Sequence, residues 1–160
     1  MTEEQKIKEM VKQKYSEKAL KKFNDGYNCA QSVLYAFNEY NLDENLALNI
    51  SVGFGVGMGR KQEVCGAISG AIMVLGLKYG NNGNSTQEKI NSVYEKVQCL
   101  FDEFIKKKGT VKCIELLNGC NLLTDKGQKY FRNNNLKENV CNECVALTCK
   151  ILENIIEENS

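Results

Sequence analysis

At 160 residues, with 42% hydrophobic and 26% charged residues, the chain has the size of one domain and enough apolar content for a continuous core without a disulfide or a metal. Lys and Arg number 21 against 20 acidic residues, a balance that excludes the strong field by which a protein recruits nucleic acid or an anionic membrane. Eight cysteines and no histidine exclude a Cys-His dyad, a mixed Cys/His zinc finger and histidine-ligated haem, so any chemistry here is led by sulfur.

The first predicted element is an amphipathic helix on which Ile7, Val11, Tyr15, Ala19, Leu20 and Phe23 recur at helical spacing. Its charges alternate where a signal peptide would be apolar, and the longest apolar run, Val64 to Leu77, falls short of the roughly 20 residues that span a bilayer. The expectation is a cytoplasmic protein without membrane insertion, in a reducing compartment where paired structural disulfides are uncommon. Asn28 is placed to cap a second helix running to about Tyr40, and a third fits 43–51. "GFGVGMG" follows, with Gly53, Gly55, Gly57 and Gly59 at alternate positions. It fits neither phosphate-loop template and reads as a flexible or close-packed loop whose N–H groups are available to an anion.

An apolar helix over 64–79 opens on Cys65 and carries small residues at Gly66, Ala67, Ser69, Gly70 and Ala71. Ser85 and Glu88 have capping-box spacing ahead of an amphipathic helix bearing Ile90, Val93, Val97, Leu100, Phe101 and Phe104. Shorter helices fit 111–117 and 125–132, and a last one fits 140–157. No stretch alternates with period two, and Gly and Asn supply the punctuation in a chain without proline. The expected fold is an all-α, single-domain helical bundle over 1–160.

Four cysteines fall in predicted first turns: Cys29 after Asn28, Cys65 at the head of its helix, Cys113 after Thr110 and Cys141 after Asn139. A helix N-terminus offers unpaired N–H groups and a partial positive charge, which favours thiolate over thiol. This placement admits both a reactive or ligating site and ordinary packing. Cys99, Cys120, Cys144 and Cys149 read first as packing residues, although Cys141 and Cys144 in "CNEC" share a helical face at a spacing used for metals and thiol exchange.

"CGAISG" at 65–70, with the cysteine of "GYNCAQSV" before it and those of "VKCIELLNGC" and "CNECVALTCKILE" after it, resembles the bacterial and archaeal redox-active proteins defined by a CGAxxG motif and four cysteines. The resemblance covers about residues 23–155. It implies a small helical redox protein whose four cysteines map onto Cys29, Cys65, Cys113 and Cys141. On that basis these four are expected to converge and hold an iron–sulfur cluster for electron transfer, with Cys65 redox-active and Gly66 and Ala67 leaving room for the inorganic core. Two alternatives use the same residues: a cofactor-free protein in which Cys65 and a partner cycle through a disulfide, and a structural zinc protein. No acid, base and nucleophile constellation marks a substrate pocket, so the chain reads equally as an oxidoreductase or as an electron carrier. The expected partner is another redox protein, and the sequence allows a homo-oligomer.

Overall fold

The computed structural model describes residues 1–38 and 42–160, apart from the side chains of residues 9 and 11–13. Among the described residues its regular elements are all helices, with a single isolated antiparallel bridge between Val64 and Lys112 and no sheet. The all-α expectation holds.

Helix α1 (Glu3–Asn24) starts on a reciprocal capping box, in which Gln5 N donates to Thr2 Oγ1 at 3.1 Å and Thr2 N to Gln5 Oε1 at 2.8 Å. Ile7 and Met10 are exposed, and Tyr15 packs against the core, its ring stacked on Phe37 at 4.4 Å. Val11 belongs to the residues whose side chains lie outside the description. Asn28 caps α2 (Cys29–Ala36) through a second capping box with Gln31. That helix stops at Ala36, short of the expected Tyr40, which lies outside the described residues. Asp43 caps α3 (Glu44–Ser51).

Central helix α5 (Gly66–Tyr79) packs against α2, α6 (Gln87–Lys108) and α9 (Asn142–Glu158), while α1 covers α2 and α9 from outside. Residues 66 to 71 of α5 are all buried. Their smallness sets the approach to α2. A Cβ on Gly70 would stand 2.7 Å from Ala30 O, and one on Gly66 would collide with Cys29 Sγ and lie 2.9 Å from Phe54 O. The main core is built from Val33, Leu34, Ile68, Val74, Leu75, Leu100, Phe104, Val145, Cys149 and Leu152.

Three helix starts differ from the sequence reading. The cap of α6 is Thr86, which accepts from Lys89 N at 3.2 Å, whereas Ser85 donates back to Gly80 O. The single-turn α7 (Cys113–Leu116) is preceded by Lys112; Thr110 accepts from Lys112 N and does not reach the helix. Asn139 caps nothing. Residues Lys137–Cys141 form one π-helical turn that runs directly into α9, and Cys141 has ordinary helical angles (φ −66°, ψ −40°) inside this continuous run. The last helix therefore begins earlier than its cap-like Asn suggests.

The glycine run is close-packed at Gly55 and Gly57 and turns left-handed. After a 3₁₀ turn (Val52–Phe54) comes the short α4 (Gly55–Met58), from within which five successive residues have positive φ: Val56 at 54°, Gly57 at 61°, Met58 at 67°, Gly59 at 59° and Arg60 at 66°. An L-residue pays roughly 1–2 kcal/mol for this region, and a β-branched valine rarely enters it. The turn is fixed by Gln62 N to Val56 O (3.2 Å) and Glu63 N to Gly57 O (3.0 Å), leaving no room for a Cβ at Gly57, which would lie 2.6 Å from Gln62 Cα.

Candidate functional site: a cavity walled by five cysteines

Four separate segments bring sulfur to one place. Cys29 is the first residue of α2, and Cys65 is the residue on which α5 starts. The 62–65 and 111–114 segments pair around the Val64–Lys112 bridge, through Cys65 N to Val111 O (2.8 Å), Cys113 N to Glu63 O (2.7 Å) and Ile114 N to Gln62 O (3.1 Å). Residues 65 and 113 are each one step from the bridged pair, so strand alternation turns both side chains to the same face. The π turn and α9 supply Cys141 and Cys144.

These five cysteines line a cavity of about 190 Å³ together with apolar residues that include Phe23, Val56, Leu117, Leu122, Phe131 and Val140. The volume is a little above the roughly 150 Å³ of an engineered apolar cavity that takes up benzene. Polar side chains on the wall are few. Asn28 is occupied as a helix cap and as donor to Val52 O (2.8 Å), and Lys137 donates to Phe23 O (2.9 Å) with its ammonium 4.6 Å from the Phe23 ring centre. Buried Gln62 fastens the loop behind Cys113: its Nε2 donates to Cys120 O at 2.8 Å, and its Oε1 accepts from Leu122 N at 2.7 Å.

Electrostatics tie Cys29, Cys65, Cys113 and Cys141 into one set, because each is near enough to disfavour a second negative charge on every other. Burial pushes the Cys29 thiol up to about 11, with Cys65 adding to the shift. Burial likewise pushes Cys113 up to about 12, again with Cys65 beside it, and raises Cys141 further. Cys65 is held well above its ordinary value, first by a hydrogen bond with the Cys144 thiol and then by burial. The expectation that helix ends make these residues thiolates is therefore overturned for the metal-free protein. The helix-end N–H groups are present, from Ala30 toward Cys29 and from Ala67 and Ile68 toward Cys65, but removal from water outweighs them.

A family model described as "Putative redox-active protein (C_GCAxxG_C_C)" matches residues 27–155. The chain belongs to this family. The matched stretch contains all eight cysteines and the motif Cys65-Gly66-Ala67-Ile68-Ser69-Gly70, and it leaves out α1, which nevertheless contributes Phe23 to the cavity wall. No curated protein and no solved structure matches the chain.

Of the residues singled out in the sequence, Cys29, Cys65, Cys113, Cys141 and Gly66 face the cavity. Gly66 does not leave empty room there, since Cys29 Sγ fills the space a side chain would take. Ala67 is fully buried in the core and reaches the site through its N–H. Cys99 and Cys149 lie elsewhere, on α6 and deep in α9, and Cys120 sits beside the site with its thiol donating to Gly127 O (3.2 Å). Cys144, first read as a packing residue, is part of the wall; its one signal was the i, i+3 spacing from Cys141. Val56 and Gln62 gave no signal in the sequence. Val56 lines the cavity and directs its N–H at Cys29, while Gln62 bonds Cys113. Among the described residues no group of three or more Cys, Asp or Glu side chains is arranged around a single metal ion, and no helix is long and apolar enough to cross a membrane.

Proposed function

We propose that this member of the redox-active family is an electron carrier whose Cys29, Cys65, Cys113 and Cys141 hold an iron–sulfur cluster. The observation that carries the reading is the donor set: four mutually close thiols on one small wall that bears no carboxylate. Soft sulfur donors without competing oxygen or imidazole suit iron–sulfur chemistry, which takes four cysteines. When bound, such a cluster supplies one-electron exchange.

The chain's own contributions are separate. Each ligand must release its proton on binding, a requirement made steeper by the raised thiols. The N–H groups of Ala30, Val56, Ala67 and Ile68 then offset charge on Cys29 and Cys65, and Lys137 offsets it on Cys141. Phe131, Leu117 and Leu122 limit water. Protein purified without oxygen, or reconstituted with iron and sulfide, should contain both elements and absorb broadly in the visible. Colourless protein that resists reconstitution contradicts the reading, and firmly held zinc would assign the site to structure.

A further inference from the structure

The family pattern requires four cysteines, but this cavity has five. Cys144 is only 3% exposed and Cys65 7%; they sit at packed helices α9 and α5, both line the cavity, and Cys144 is the neighbour that bears most on the Cys65 thiol. The pair thus crosses between two helices, whereas Cys141 and Cys144 belong to one continuous helical run.

We propose that Cys144 is the redox partner of Cys65: in the metal-free protein the two form a reversible disulfide, with a small hydroperoxide as oxidant. The cavity selects this class of oxidant. Two sulfurs this deeply buried are out of reach of a protein or peptide disulfide, whereas a wall that is almost wholly apolar and encloses about 190 Å³ admits a small neutral molecule. One sulfur attacks the peroxide, breaking its O–O bond; the sulfur gains the hydroxyl as sulfenic acid and the alcohol, or water for hydrogen peroxide itself, leaves. The second thiol displaces that hydroxyl, which departs as water with the thiol's proton, and the S–S bond forms. Overall two thiols lose two electrons and two protons and the peroxide is reduced. A small dithiol reverses the step by exchange.

The consequence rests on the proposed ligand set, which shares Cys65. Once paired with Cys144, Cys65 is withdrawn from the cluster site, so oxidised metal-free protein does not load until it is reduced.

The test uses the whole 160-residue chain, metal-free and reduced. It is treated with hydrogen peroxide, its remaining thiols are blocked, and it is digested without reductant for peptide mass mapping. The expected result is loss of two of the eight free thiols, one dominant Cys65–Cys144 cross-link, and full recovery with dithiothreitol. Cys144→Ser should abolish the link and leave Cys65 as a sulfenic acid trapped by dimedone, while Cys149→Ser should behave as wild type. Mapping the wild-type chain needs no variant to fold, and either no cross-link or a dominant link between any other pair overturns the proposal. Iron and sulfide content judge the cluster separately, so either idea can fail without the other.

Discussion

At Cys29 and Cys65, two opposing effects act on the same sulfur. A helix end stabilises a nearby anion by about 0.3–1 kcal/mol when exposed, whereas burial can shift a titrating group by several pKa units at about 1.4 kcal/mol each. Burial wins at Cys29, Cys113 and Cys141, and at Cys65 it adds to the contact with Cys144. In reduced, metal-free protein at neutral pH, half-buried Cys99 should therefore alkylate faster than Cys65 or Cys149; quantitative labelling that finds Cys65 fastest would contradict this. The same shifts set a pH dependence. A thiol whose folded pKa lies above its unfolded value contributes stability that is complete below about 9 and is lost as pH rises through the folded value, because the unfolded chain gives up its proton first. With Cys29 near 11 and Cys113 near 12, the urea midpoint of the metal-free protein should fall between pH 9 and 12. A midpoint that rises over that window would reverse the sign.

Among the elements, contact between α2 and α5 depends on residues that lack side chains. Gly66→Ala forces a methyl group against Cys29 Sγ and Phe54 O and should destabilise by about 1–3 kcal/mol, the usual cost of overpacking. Gly53→Ala meets nothing within 4 Å and should stay within about 0.5 kcal/mol. Equilibrium denaturation of both variants checks the pair, and equal losses would mean that the close approach is not what Gly66 provides. At the start of α6, Thr86→Ala should cost about 1 kcal/mol through the lost bond to Lys89 N, an effect that the same denaturation experiment measures. The apolar period of α6 made that helix legible in the sequence, because period 3.6 reports the buried face directly, whereas α5 was legible as one continuous apolar run. Caps were legible only to within a few residues: Ser85, Thr110 and Asn139 are chemically competent caps, and tertiary contacts decided against all three. The left-handed turn was illegible, since Val56, Met58 and Arg60 carry no local preference for positive φ and the turn is closed by bonds from Lys61, Gln62 and Glu63 back to Met58, Val56 and Gly57.

Over the whole molecule, a sulfur-walled cavity arises because residues far apart in sequence are fixed by separate devices: a capped helix start at Asn28, a two-segment bridge at Val64 and Lys112, a π turn at 137–141, and Gln62 anchoring the 120–122 loop. The motif and the resemblance pointed to Cys29, Cys65, Cys113 and Cys141, and the fold brings all four to one wall. What local sequence did not reveal is depth, which depends on how the helices pack; hence the thiolate expectation failed and Cys144 was first read as packing. Removing Gln62 should expose this dependence: Gln62→Ala leaves Cys120 O and Leu122 N without their partner, at about 1–3 kcal/mol, and should loosen Cys113 first, seen as faster alkylation there than at Cys29.

The most direct test of the central claim is the iron and sulfide content of anaerobically reconstituted protein across a series of single Cys→Ser variants. Replacement of Cys29, Cys113 or Cys141 should sharply reduce both elements, and Cys65→Ser should do so as well unless Cys144 takes its place, which the Cys65→Ser/Cys144→Ser double variant resolves by losing them. Cys99→Ser and Cys149→Ser should retain them in full. Equal retention across the series, or loss confined to Cys99 and Cys149, would contradict a cluster held on this wall.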